Sequence, residues 1–116
     1  MILVLDDDRV MGRCLARILE KNKKTVCLFN NAIDAMEMVN EEIPEMVIMD
    51  VYLTGPDGFT FINEMASYAD TMTVPIVIAS EKDFSKIDLK AYNVVGFLDK
   101  NTMQPKDVEE CIKKYA

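Results

Sequence analysis

Asp6, Asp7 and Asp8 follow directly on the apolar run ILVL (2–5), and Asp50 follows MVIM (46–49). Ser80 follows PIVIA (75–79), and Asp99 and Lys100 follow VVGFL (94–98). Adjacent carboxylates repel and are costly to desolvate, so a buried strand ending in three of them calls for a compensating charge. A hard divalent cation supplies one, since Mg²⁺ takes carboxylate, carbonyl and water oxygens and is commonly held by one or two carboxylates plus a phosphate. One oxygen of Asp50 is then left to attack phosphorus, giving an acyl phosphate. The cation and an ammonium group would neutralise charge on the phosphoryl oxygens in transit. Asp8 reads instead as the cap of a following helix.

The elements that must bring these residues together alternate along the chain. TVCLF (25–29) joins the four runs already named to make five strand candidates. Four of the five are nearly continuous in apolar residues, as for parallel strands covered on both faces. Helical periodicity fills the intervals. In 9–22 it puts Val10, Cys14, Leu15, Ile18 and Leu19 on one stripe; further helices are expected over 32–42, 58–69, 84–92 and 106–115. Asn31 and Asp57 are placed as N-caps and Pro105 in the first turn. The alternation predicts an α/β fold, (βα)5, a doubly wound five-stranded parallel sheet. In such a sheet the functional crevice lies beyond the carboxyl ends of the strands, where the acids, the hydroxyl and the lysine gather.

The motifs VLDDD, VIMDVYLTGPDGF, IVIASE and GFLDKN stand at four successive strand ends, with 43 residues from Asp7 to Asp50, 30 to Ser80 and 20 to Lys100. In this the chain resembles a response regulator receiver domain of two-component systems, in the chemotaxis-regulator-like superfamily. The likeness spans essentially residues 1–116. It implies a flavodoxin-like sheet with strand order 2-1-3-4-5 and a single receiver domain. It implies Asp50 as phosphoacceptor, and Mg²⁺ (or Mn²⁺) held by Asp6, Asp7, Asp50 and the backbone carbonyl of Tyr52. Lys100 would pair with the phosphoryl group, Ser80 would be the switch hydroxyl and Phe97 the aromatic switch. Tyr52 and Lys82 stand where the family tunes phosphoryl lifetime. Asn101 stands where the family usually has proline after the lysine, and Thr54 and Pro56 depart from its commoner loop order. The implied partners are a sensor histidine kinase or phosphotransfer protein and a downstream effector or output domain, with no nucleic acid or membrane bound by this domain.

Composition narrows the field. A net charge of −7, from 13 basic and 20 acidic residues, argues against a nucleic-acid surface. The chain has no histidine, so a phosphoryl donor of that type must sit on another protein. Cys14, Cys27 and Cys111 read as buried thiols of a reducing compartment, and the absence of a long apolar run or leader pattern points to a soluble cytoplasmic protein. The expected function is a phosphoacceptor switch rather than a turnover enzyme. The alternative is a pseudo-receiver that binds partners without phosphorylation. A metal-dependent phosphohydrolase ranks lower for want of a phosphate-cradling glycine loop and a general base. A flavin carrier ranks lower because DDDR would repel the cofactor phosphate.

Overall fold

The computed structural model describes residues 1–53, 55, 57–84 and 88–116. Five parallel strands, β1 (Ile2–Leu5), β2 (Val26–Phe29), β3 (Met46–Met49), β4 (Ile76–Ser80) and β5 (Val94–Asp99), form one sheet in the order 2-1-3-4-5. Alternate residues of the central strands feed two cores. Ile2, Val4, Met46, Ile48, Val77 and Ala79 pack against α1 (Arg9–Lys21) and α4 (Pro105–Tyr115). Leu3, Leu5, Val47, Met49, Ile76 and Ile78 pack against α2 (Ala32–Glu41) and α3 (Gly58–Ala66). Burial on both faces explains why these strands read as unbroken apolar runs.

Side chains set the helix starts. The Asp8 carboxylate accepts the N–H groups of Val10 and Met11 at 3.0 and 3.2 Å. Asn31 accepts from Asp34 at 2.9 Å, and Asp57 from Thr60 at 3.0 Å. Asp107 accepts the Gln104 N–H at 2.7 Å, with Pro105 in the first turn of α4.

Two expectations are corrected. The face that α1 buries is Gly12, Leu15, Ala16 and Leu19, whereas Val10 is 80% exposed and Cys14 is also exposed. Glycine and alanine let the helix sit close to the sheet: a Cβ on Gly12 would lie 2.9 Å from Leu28 Cδ1. The chain therefore rotates its small residues inward and leaves a β-branched one in water. The second correction concerns 84–92. Among the described residues this segment holds one 3₁₀ turn, Lys90–Tyr92, and the described residues of the chain as a whole form four α-helices rather than five. Asp88 takes the Lys90 N–H at 3.2 Å, and Asn93, left-handed at φ 59°, stops the turn. Residues 85–87 lie outside the described residues, as do Thr54 and Pro56.

A bulge in β5 sets Ile76 opposite Val94 but Val77 opposite Gly96, leaving Val95 over. The Val95 carbonyl accepts the Tyr115 hydroxyl at 2.9 Å, tying the last turn of α4 to the sheet edge.

Candidate functional site

The carboxyl ends of β1, β3 and β5 bring three charged side chains together. Lys100, one residue past β5, puts its ammonium 2.6 Å from Asp6 Oδ2 and 2.7 Å from Asp50 Oδ2. The sheet order dictates this, because β3 lies beside β1 and β4 alone separates it from β5. Lys100 is anchored by its own N–H, which donates to the Ser80 carbonyl at 3.0 Å. All three side chains are almost wholly buried.

The electrostatics are those of a site one positive charge short. Burial raises the Asp6 carboxyl above its ordinary value of 3.8, against the opposing pull of Lys100 and of the Asp8 N–H at 2.9 Å. Burial alone would lower Lys100, but Asp50 and Asp6 outweigh it and hold the ammonium above 10.5. Asp6 Oδ2 meets the ammonium without a well-aligned hydrogen bond and is sealed from solvent. Two buried carboxylates against one ammonium leave an excess negative charge. The donors are all hard oxygens, which fits a small divalent cation. Among the described residues, no group of three or more His, Cys, Asp or Glu side chains is set to hold a metal by itself, so backbone and solvent oxygens would complete its shell.

The remaining expected site residues take distinct positions. Asp7 is exposed, outside the buried Asp6–Lys100–Asp50 group, because the Asp8 N–H turns back onto Asp6 and bends the chain there. Thus the triple aspartate separates into an inward acid, an outward acid and a helix cap. The Tyr52 N–H donates to Asp50 Oδ1 at 3.1 Å, while its ring lies outside against Phe84. Ser80 is buried at the end of β4, and its hydroxyl accepts the Lys82 N–H at 3.2 Å. Phe97 is 39% exposed and borders, with Ser80 and Phe84, a cavity of about 260 Å³.

Two residues matter here in ways that the motif spacing does not reveal. Gly58 donates its N–H to the Val51 carbonyl at 2.8 Å, and a Cβ on it would lie 2.4 Å from Val51 Cα and 2.9 Å from the Asp50 carbonyl oxygen. Only glycine lets α3 begin so close beneath Asp50. Asn101, the residue in place of proline, follows a trans bond, since no described peptide bond is cis. Its side-chain amide donates to the Glu81 carbonyl at 3.1 Å, joining the loop after β5 to the loop after β4. Its place beside the lysine was the one available signal.

Known proteins resemble this chain in sequence and in fold. Protein PilH of Pseudomonas aeruginosa PAO1 is 30% identical over 82 residues, covering 71% of this chain and 68% of PilH. Response regulator MprA of Mycobacterium ulcerans is 33% identical over 82 residues, again 71% of this chain but 34% of MprA, so the chain spans about a third of that regulator's length. A protein of Chloroflexus aurantiacus J-10-fl assigned as a response regulator superposes with a TM-score of 0.88 at 25% identity, over 98% of this chain and 94% of that one. The receiver domain of the sensor histidine kinase PA1611 of Pseudomonas aeruginosa PAO1 has the same fold, with a TM-score of 0.86 at 17% identity over 98% and 94% of the two chains; that domain holds a magnesium ion in its active-site cleft. The family model for response regulator receiver domains matches residues 2–113, from the start of β1 into the last turns of α4. The chain accordingly belongs to the receiver domains of two-component response regulators.

Proposed function

We propose that Asp50 accepts a phosphoryl group from a phosphohistidine on a partner kinase or phosphotransfer protein, and that the resulting change at Ser80 and Phe97 controls an effector or output domain. The observation that carries this reading is the Lys100 ammonium held between Asp6 and Asp50. A carboxylate oxygen of Asp50 attacks phosphorus, the P–N bond to the partner's imidazole breaks, and an acyl phosphate forms. The Tyr52 N–H on Asp50 Oδ1 keeps the carboxylate oriented. Lys100 is within reach of Asp50 Oδ2 and needs only a small shift to meet the transferred phosphoryl oxygens. Ser80 accepts from Lys82, so its own O–H remains available to donate to the same group. Movement of Ser80 clears the cavity it shares with Phe97, giving the ring an inward position.

Mg²⁺ or Mn²⁺, held by Asp6, Asp7, Asp50 and the Tyr52 carbonyl, would supply the counter-charge for the phosphoryl oxygens. The domain acts stoichiometrically, as an acceptor that assists its own transfer and hydrolysis and not as a turnover enzyme. It works in the cytoplasm; no helix among the described residues is long and apolar enough to cross a membrane.

Incubation with acetyl phosphate and Mg²⁺, followed by intact-mass measurement, tests the assignment. One phosphoryl group should be added to the native chain and none to Asp50→Ala, with Lys100→Ala labelled at least about tenfold more slowly. Labelling retained in Asp50→Ala would sink the reading.

A further inference from the structure

The layer formed by α2 and α3 carries a feature that phosphoryl transfer does not use. A groove of about 290 Å³ runs between the two helices. Ile33, Met36, Glu37 and Asn40 recur at i, i+3, i+4 and i+7, so a single face of α2 makes one wall. Glu64 of α3 stands on the other, and Phe61 is buried among the lining residues. Ile33 is 57% exposed and lines the groove together with the half-buried Met36, so the groove keeps an apolar wall that a partner could cover.

Charge says what that cover is. No lysine or arginine occurs between Lys24 and Lys82, whereas ten of the 20 acidic residues do. The helices α2 and α3 therefore carry Asp34, Glu37, Glu41 and Glu64 and no base. Glu37 and Glu64 form no ion pair among the described residues. The basic side chains of the helices sit on the opposite layer, Arg9, Arg13, Arg17 and Lys21 on α1 and Lys106, Lys113 and Lys114 on α4. An apolar groove with acidic walls repels nucleic acid and anionic membranes alike. It suits a cationic helix that carries an apolar anchor.

We infer that the α2–α3 groove docks a basic amphipathic helix of a partner protein. One large apolar side chain rests against Ile33 and Met36, above the buried Phe61, with lysine or arginine on either side of it facing Glu37 and Glu64. The lining residues Ile33, Met36, Glu37 and Glu64 are none of those that gather around Asp50 at the carboxyl end of β3.

A fluorescent 14-residue peptide with leucine at i, i+3, i+4 and i+7 and lysine elsewhere tests the inference against a scrambled peptide of the same composition. Anisotropy at physiological salt should give the patterned peptide an affinity at least about tenfold higher. Amide shifts should concentrate in 32–41 and 58–66, and Glu37→Lys with Glu64→Lys should weaken binding at least about tenfold while labelling at Asp50 stays unchanged. Ile33→Asp, exposed and compatible with folding, should also weaken it. Equal affinity for the scrambled peptide, shifts elsewhere, or indifference to these substitutions overturns the proposal. So does self-association by sedimentation that Ile33→Asp abolishes, which would make a second copy, presenting its α1 arginines, the occupant.

Discussion

Gly58 shows how little room there is beside Asp50. Any side chain there must displace the Val51 and Asp50 backbone, which follows directly on the central strand β3. Gly58→Ala should cost about 1–3 kcal/mol in urea unfolding, as overpacking in a close-packed interior does, and should slow acetyl phosphate labelling of Asp50 as well. A second residue-scale outcome concerns the thiols. All three cysteines are free; Cys14 is exposed, correcting the expectation that it is buried, while Cys27 and Cys111 are half-buried. Burial, then Glu110 and Asp107, push the Cys111 thiol above its ordinary 9.0. The folded chain thus keeps that proton at pH values where the unfolded chain releases it, and Cys111 destabilises the fold as pH rises past 9.0. Iodoacetamide at pH 8 followed by peptide mass mapping should modify Cys14 well before Cys111.

At the scale of elements, α1 sets two apolar residues apart. Leu15→Ala should cost about 2–5 kcal/mol by creating a cavity under the sheet, whereas Val10→Ser, in water, should stay within about 0.5 kcal/mol. Comparable losses by chemical denaturation would mean that α1 is rotated from the position described. The same helix marks what could and could not be read from the amino acids. The strands were legible because burial on both faces writes itself as unbroken apolar runs. On α1 Leu15 and Leu19 were legible, but Gly12 and Ala16 were not, because such small side chains give little hydrophobic signal even where they are buried. The segment 84–92 has helical spacing, yet Asp88 and Asn93 bond and bend the backbone locally into a single 3₁₀ turn. That Asp6, Asp50, Ser80 and Lys100 stand at the carboxyl ends of strands was readable from the alternation. The bridge from Lys100 to Asp6, the exposure of Asp7 and the Asn101 link to Glu81 depend on side-chain directions, which spacing does not encode.

For the molecule as a whole, the buried site and the net charge of −7 act in the same direction. A divalent cation that binds only the folded chain should stabilise it by mass action, by about 2.7 kcal/mol at a concentration a hundred times its Kd. Mg²⁺ should therefore raise the urea midpoint beyond NaCl at equal ionic strength, and Asp7→Ala should lose most of that increment. An identical rise with NaCl would assign the effect to screening of surface acids instead.

The bulge at Val95 has a practical consequence. The chain contains no tryptophan and four tyrosines, so its near-ultraviolet emission comes from phenol rings. Tyr115 donates its hydroxyl to the Val95 carbonyl with the Lys114 ammonium 5.6 Å above the ring, and Val95 stands two residues from Phe97. A displacement of that strand should alter the phenol–carbonyl contact. Tyrosine emission followed through acetyl phosphate treatment therefore offers a label-free test of the proposed change at Phe97, and a signal that does not alter would count against it.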